Sequence, residues 1–189
     1  MRLFIAINIP KKERDRIHRS TRPLRERSFP VRWVPSELFH LTLKFLGEIP
    51  ESSLPVVEKV LEKVAGTTDP FPMEIGGFGA FPTIRRPRVR WLGVEPSPAL
   101  RCLKQDLEWA LSEKGFDRET RAFHPHFTLG RAKGEDGAGA FRGLDDLASE
   151  LSYHGEARVW KVDLMKSHLS ASGPRYEVLA NFPLKGSGA

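Results

Sequence analysis

Hydrophobic residues recur along the chain with two periods, one typical of strands and one of helices. Residues 2–8 form an apolar run typical of a strand, and residues 11–27 follow as a charged helix that Pro23 interrupts. Apolar positions at helical spacing then predict a helix over 51–65, which Gly66 ends. The remaining predicted elements are strands at 38–46, 71–81, 89–94, 126–131, 157–165 and 175–182, and helices at 97–114 and 138–151.

The two halves of the chain share one order of elements. An offset of 86 residues lays five elements of the first half over five of the second, and each half reads β-α-β-α-β. This agreement indicates an internal duplication. It predicts an α+β fold in a single domain spanning 1–189, with two pseudo-symmetric lobes at about 1–81 and 87–184. We expect mainly antiparallel sheets that face a central cleft, with the helices outside.

One short motif is preserved between the halves. Residues 40–43 read His-Leu-Thr-Leu and residues 126–129 read His-Phe-Thr-Leu. Because alternate residues of a strand point to the same face, each His shares a face with its Thr, and the apolar residues point to the core. If the lobes face one another, the two His-Thr pairs meet across the cleft.

Such a pair of motifs fits acid-base chemistry on a phosphate. An imidazole has a reference pKa of about 6.5, so two of them can serve as general base and general acid near neutrality. Each Thr hydroxyl can donate a hydrogen bond to an anionic oxygen. The near-symmetry of the motifs leaves open which His is the acid.

Composition excludes several classes of protein. Hydrophobic residues are 40% and charged residues 29%, which is typical neither of a disordered chain nor of a membrane protein. A single cysteine, Cys102, excludes an intramolecular disulfide framework and a multi-cysteine zinc site, and we expect it to be buried in a helix. A cytoplasmic location and no membrane association are therefore expected.

Positive charge is concentrated in two places. The net charge is +6, and residues 1–35 hold ten Lys and Arg against three Asp and Glu. A second cluster consists of Arg85, Arg86, Arg88 and Arg90. Such clusters favour a polyanionic partner, of which nucleic acid is the commonest, and a solvated basic surface is an equal alternative.

With these motifs the chain resembles the 2H phosphoesterase superfamily, and within it the RNA 2′,3′-cyclic phosphodiesterases, also called 2′-5′ RNA ligases. The resemblance covers nearly the whole chain and includes HLTLKFLGEIP at 40–50, HPHFTLGRA at 124–132 and SHLSASGPRYEVLANFPL at 167–184. It implies an enzyme that opens a 2′,3′-cyclic phosphate at an RNA end to leave a 2′-phosphate, with no metal or cofactor. Run in reverse, the same site joins RNA ends through a 2′-5′ bond.

The resemblance also implies a role for each motif residue. His40 is the proton donor to the departing ribose 3′-oxygen, and His126 is the proton acceptor from the attacking water. Thr42 and Thr128 hold the non-bridging phosphate oxygens. The candidate substrate-binding residues, at the ends of the motifs or just after, are Leu43, Leu129 and Arg131.

Strand parity bears on two basic residues that follow the motifs. Lys44 has the parity of His40, which puts it on the same face. Arg131 has the opposite parity to His126, so it reaches a phosphate only if the chain bends at Gly130. Candidate residues for stacking on a terminal base are Trp33, Phe78, Phe81 and Phe123.

The expected partner is RNA that ends in a 2′,3′-cyclic phosphate, with no protein partner and a monomeric chain. Two alternatives stay open: a non-catalytic module that binds RNA ends, and a 2H esterase that acts on small cyclic nucleotides. His124 and His126 also form a His-x-His pair, but no further Cys or carboxylate motif accompanies it, so a metal site is not expected.

Overall fold

The computed structural model describes residues 1–84, 87–134 and 139–186. Within them, nine strands form one sheet flanked by five α-helices. The strands are β1 (Arg2–Asn8), β2 (Val31–Trp33), β3 (His40–Glu48), β4 (Phe71–Pro82), β5 (Pro87–Val94), β6 (His126–Ala132), β7 (His154–Val159), β8 (Lys161–Ser170) and β9 (Gly173–Pro183). The helices are α1 (Lys11–Ser20), α2 (Arg22–Glu26), α3 (Leu54–Gly66), α4 (Pro98–Ser112) and α5 (Leu144–Glu150).

The strand order in the sheet is β7-β4-β5-β6-β3-β1-β8-β9, with β2 beside β6. Every described pairing is antiparallel, which confirms the α+β class and the expected sheet type. The two parts of the sheet meet where Leu41 of β3 pairs with Phe127 of β6. The expected two facing sheets are therefore two halves of one sheet.

The halves of the sheet do not follow the predicted division of the chain at residues 81–87. Strands β8 and β9, late in the sequence, pair with β1, and β4, from the first half of the sequence, pairs with β5 and β7. The predicted strand at 157–165 is in fact two strands, β7 and β8, separated at Trp160. The chain crosses there from the His126 half-sheet (β2, β4, β5, β6 and β7) to the His40 half-sheet (β1, β3, β8 and β9).

The main core lies on one face of the sheet, under α3 and α4. The expected break in the first helix is confirmed, because α1 ends at Ser20 and Pro23 lies in the first turn of α2. The core contains the apolar residues of both motifs, together with residues of β1 and the two covering helices. Its fully buried members include Leu3, Ile5, Ile7, Leu41, Leu61, Leu103, Leu107 and Phe127.

A few further expectations differ from the structure. Helix α5 is shorter than the predicted 138–151, and Cys102 is exposed on α4 rather than buried.

Arg85 and Arg86 of the second basic cluster lie outside the described residues. No helix in the described part of the chain is long and apolar enough to span a membrane.

Candidate active site

The two His-Thr pairs lie side by side on the face of the sheet opposite the main core, called here the motif face. Leu41 and Phe127 are fully buried between the sheet and its helices, so their neighbours His40, Thr42, His126 and Thr128 point the other way and are half-buried. Because β3 and β6 are antiparallel and pair at Leu41 and Phe127, a local pseudo-two-fold axis passes through this pair.

The same hydrogen bond orients both imidazoles. Nδ1 of His40 lies 2.8 Å from the carbonyl oxygen of Leu38, and Nδ1 of His126 lies 2.6 Å from that of His124. Since a carbonyl only accepts, Nδ1 carries a proton in each ring, and Nε2 of the neutral ring keeps its lone pair. The Thr42 hydroxyl lies 3.1 Å from Nε2 of His40. Both reactive nitrogens are thus fixed by the backbone two residues earlier.

The surroundings favour the neutral form of both imidazoles. Burial lowers the pKa of His40, and the positive charge of Arg131 and the neighbouring His126 lower it further, against the hydrogen bond to Leu38. Burial also lowers the pKa of His126, with smaller contributions from His124 and Arg131. A bound phosphate anion acts in the opposite direction, because a nearby negative charge favours the imidazolium.

Each imidazole packs against two aromatic rings. The ring of His40 lies 5.1 Å from that of Phe4 and 5.1 Å from that of Tyr176, edge to face in the second case. The ring of His126 lies 5.3 Å from that of Phe81 and 6.2 Å from that of Trp91. These rings account for the burial of both imidazoles.

Sequence reasoning found only one of these four aromatic residues, Phe81. The other predicted stacking residues, Trp33, Phe78 and Phe123, pack against the main core. Phe4, Trp91 and Tyr176 come from strands whose pairing the local sequence does not show. Only the order of strands in the sheet brings them to the motifs.

A β-bulge follows the Thr of each motif. In β6, Thr128 lies opposite Trp91 and Gly130 opposite the preceding residue, Arg90, so Leu129 is an extra residue. In β3, Leu43 is extra in the same way, between Thr42 and the next paired residue. A bulge exchanges the faces of all residues that follow it in the strand.

The bulges correct both predictions from strand parity. Arg131 returns to the motif face, close enough for its charge to lower the pKa of both imidazoles. Lys44 turns into the core instead, so its predicted place on the face of His40 is wrong. Its Nζ donates to Oε2 of Glu108 at 2.8 Å and to the carbonyl of Asp117 at 2.7 Å.

The side chains of Leu43 and Leu129, two of the candidate substrate-binding residues, lie in the main core. They are only 2% and 3% exposed and belong to the main core. Their side chains hold the two strands on the core, so contact with a substrate at these positions would fall to the backbone. The backbone bulges at these residues, rather than their side chains, shape the site.

The ring of His124 packs at 4.8 Å against Trp91, and its carbonyl holds His126. No group of three or more His, Cys, Asp or Glu is placed to hold a metal ion in the part of the chain that the structure describes.

Two symmetry-related His-Thr pairs on one face of an antiparallel sheet, each with Nδ1 of the His held by the backbone, are typical of the class of two-histidine phosphoesterases. The family model described as 2′-5′ RNA ligase superfamily matches residues 13–170, and the chain belongs to this family.

Relatives and solved structures agree with this assignment. An RNA 2′,3′-cyclic phosphodiesterase of Methanothermobacter thermautotrophicus is 34% identical over 186 residues, which are 97% of this chain and 99% of the relative. The crystal structure of TT0787 of Thermus thermophilus has a TM-score of 0.84 and 28% identity and covers both chains completely. Escherichia coli LigT, solved with 3′-AMP, has a TM-score of 0.77 and 26% identity over 97% of each chain.

Proposed function

We propose that this protein hydrolyses the 2′,3′-cyclic phosphate at an RNA end and leaves a 2′-phosphate. The observation that carries the proposal is the pair of imidazoles on one face of the sheet, each with Nδ1 held by a backbone carbonyl, which leaves Nε2 for proton transfer. The name of the archaeal relative, RNA 2′,3′-cyclic phosphodiesterase, supports the substrate. The reverse reaction, with an RNA 5′-hydroxyl in place of water, would form a 2′-5′ bond at the same site.

In this mechanism Nε2 of His126 takes a proton from water as the water oxygen attacks phosphorus. The bond from phosphorus to the ribose 3′-oxygen breaks, and His40 gives its proton to that oxygen. Thr42 and Thr128 donate hydrogen bonds to the non-bridging oxygens, where negative charge increases. The assignment of acid and base follows from the resemblance, since the two motifs are nearly symmetric.

Substrate binding prepares His40 for its role as acid. Both imidazoles of the free protein have lowered pKa values, so the anionic substrate supplies the charge that favours protonation of His40. Arg131 on the motif face contributes a guanidinium suited to phosphate oxygens. No step needs a group beyond the side chains of this chain.

The proposed partner is RNA, and the basic composition supports it, with a net charge of +6. The proposal includes a monomer in the cytoplasm. In its support, both His-Thr pairs come from one chain, and the single cysteine needs no oxidising compartment.

The test uses an oligoribonucleotide that ends in a 2′,3′-cyclic phosphate, incubated with the protein in EDTA. We expect a 2′-phosphate product, and a kcat lower by about 10² or more in His40→Ala and His126→Ala, the usual size of an acid-base contribution. The matched control is His154→Ala, which removes an exposed imidazole on β7.

Each other outcome has a distinct meaning. A 3′-phosphate product would reverse the proposed leaving group and the orientation of the substrate. Binding of the oligonucleotide without turnover would indicate a module that only binds RNA ends. Full activity in either His variant would contradict the two-histidine mechanism.

A further inference from the structure

A cavity of about 270 Å³ lies beside His40, on the side away from the second motif, and the mechanism above does not use it. Strands β1, β8 and β9 and helix α1 contribute to its wall. Its polar and aromatic lining residues are Asn8, Arg14, Glu37, His40, Lys161, Asp163 and Tyr176.

The only fully buried charge of this lining is already balanced. Asp163 is 1% exposed and accepts hydrogen bonds from Nδ2 of Asn8 at 2.7 Å and from Nζ of Lys161 at 3.0 Å. The carboxylate of Asp163 therefore holds its two neighbours in place and does not neutralise a further cation.

Arg14, by contrast, has no carboxylate partner among the described residues. Its Nη1 donates at 2.9 Å to the backbone carbonyl of Glu37, whose own side chain is exposed at the rim of the cavity. Its Nε is buried without a hydrogen-bond partner. A buried donor without a partner is costly, so the protein itself does not satisfy the hydrogen-bonding capacity of this guanidinium.

The proposed reaction decides which ligand group comes here. His40 protonates the 3′-oxygen of the terminal ribose, so the terminal nucleoside must lie on the His40 side of the phosphate. The volume of the cavity is slightly below the range of about 300–1,000 Å³ for small-molecule sites, a size that suits one nucleoside. Tyr176 supplies an aromatic wall. The phosphodiester on the 5′ side of that nucleoside is an anion suited to a guanidinium.

We propose that this cavity holds the terminal nucleoside and that Arg14 binds the phosphodiester on its 5′ side. The protein then distinguishes the end of an RNA strand from a free nucleoside cyclic phosphate, which has no such group. This inference rests on the proposed function, and it adds a binding residue outside both motifs.

The test compares two substrates that share a terminal nucleoside: adenosine 2′,3′-cyclic phosphate and the dinucleotide ApA ending in the same cyclic phosphate. In Arg14→Gln we expect KM for the dinucleotide to rise about tenfold, the effect of one charge-assisted contact, and KM for the mononucleoside to stay unchanged. Arg14→Lys keeps the charge and should recover part of the loss.

Two controls isolate the contact. Arg19→Gln makes the same change in charge on the same helix, at an exposed residue outside the cavity, and should leave both KM values unchanged. For the wild-type protein, KM for a dinucleotide with an uncharged methylphosphonate linkage should be about tenfold higher than KM for the phosphodiester. Arg14→Gln should raise the KM of the methylphosphonate no further.

Three results would overturn the inference. An equal rise of KM for both substrates in Arg14→Gln would mean that Arg14 acts only by supporting Glu37 and the backbone before His40. An unchanged KM for the dinucleotide in Arg14→Gln would mean that its phosphodiester lies elsewhere. No turnover of either substrate by the wild-type protein would refute the proposed function itself, whereas either of the first two results would refute only the role of Arg14.

Discussion

The two half-sheets carry the same motif with the same bulge, yet the residues after the bulge differ. In β3 these residues are Lys44, which is buried, and Phe45, which is 69% exposed on the motif face. In β6 they are Gly130, which is buried, and Arg131, which is exposed. The geometry that orients the imidazoles has stayed common, whereas the charge beside each imidazole has diverged.

Packing explains the difference at the first of these positions. A Cβ on Gly130 would lie 2.6 Å from Cγ1 of Val31 and 2.8 Å from the ring of Trp33, so β2 can pair with β6 only if a glycine stands there. In the described part of the chain no short strand pairs with β3 as β2 pairs with β6, and Lys44 instead reaches Glu108 of α4. Beside the second motif the His126 half-sheet is thus covered by strand β2, whereas the corresponding residue of the His40 half-sheet forms an ion pair with α4.

The largest expected effect distinguishes the imidazole that acts as acid from the one that acts as base. If the ribose 3′-oxygen is replaced by sulfur, the leaving group needs no proton, because a thiolate is a much weaker base than an alkoxide. His40→Ala should then recover most of its loss of about 10²-fold or more, whereas His126→Ala should recover little. The measurement is kcat for each variant on the oxygen and the sulfur substrate.

Recovery in His126→Ala instead would exchange the two roles. Equal recovery in both variants would show that neither imidazole acts only as acid or only as base.

The next effect concerns the ion pair of the His40 half-sheet. Glu108 is buried and accepts hydrogen bonds from Lys44 and Lys104, so Glu108→Gln leaves two ammonium groups without a carboxylate. We expect the free energy of unfolding to fall by about 3–5 kcal/mol, measured by denaturant titration. The control Glu26→Gln, which removes an exposed partner of Arg22, should cost under about 1 kcal/mol.

This stabilisation should also depend on pH. Burial acts against the charged form of Glu108, but the hydrogen bonds from the two lysines and from the N–H of Glu119 outweigh it and lower its pKa below the usual 4.5. The difference between wild type and Glu108→Gln is therefore fully present above about pH 4.5 and shrinks as the pH falls below it. A difference that stayed constant in acid would contradict this account.

The smallest effect is a displacement of the pH profile, as distinct from its height, and it concerns the exposed charge of the His126 half-sheet. Arg131 lowers the pKa of both imidazoles, so Arg131→Gln should raise both and move both limbs of the pH profile of kcat/KM to higher pH. The shift is expected to be small, because Arg131 is exposed and its charge is screened by solvent and salt. Arg158→Gln, an exposed residue of β7, should leave the profile in place; movement of one limb only would mean that Arg131 faces a single imidazole.

The sequence alone predicted those parts of the site that depend on strand period and local repetition. The alternation of His and Thr with Leu41 and Phe127 was enough to place two polar pairs opposite the core. The break before Pro23 likewise follows from the fixed geometry of one residue. Both are properties of a few consecutive residues.

The features that the sequence did not predict depend on pairing between distant strands. The bulges at Leu43 and Leu129 arise where β3 meets β1 and β6 meets β5, and they reverse the faces of Lys44 and Arg131. The placement of β8 in the His40 half-sheet also depends on pairing between distant strands. No local period marks it, because residues 154–170 read as extended chain on either side of Trp160.

The exchange of strands has a consequence for the order in which the site can form during synthesis. The ring of Tyr176, which packs on His40, lies on β9, and β9 reaches the His40 half-sheet only through its pairing with β8. The first motif is thus synthesised early, whereas β9, which completes its surroundings, is among the last parts of the chain to be synthesised. A chain that ends at Val159 would contain both histidines and every strand of the His126 half-sheet, but neither β8 nor β9 of the His40 half-sheet.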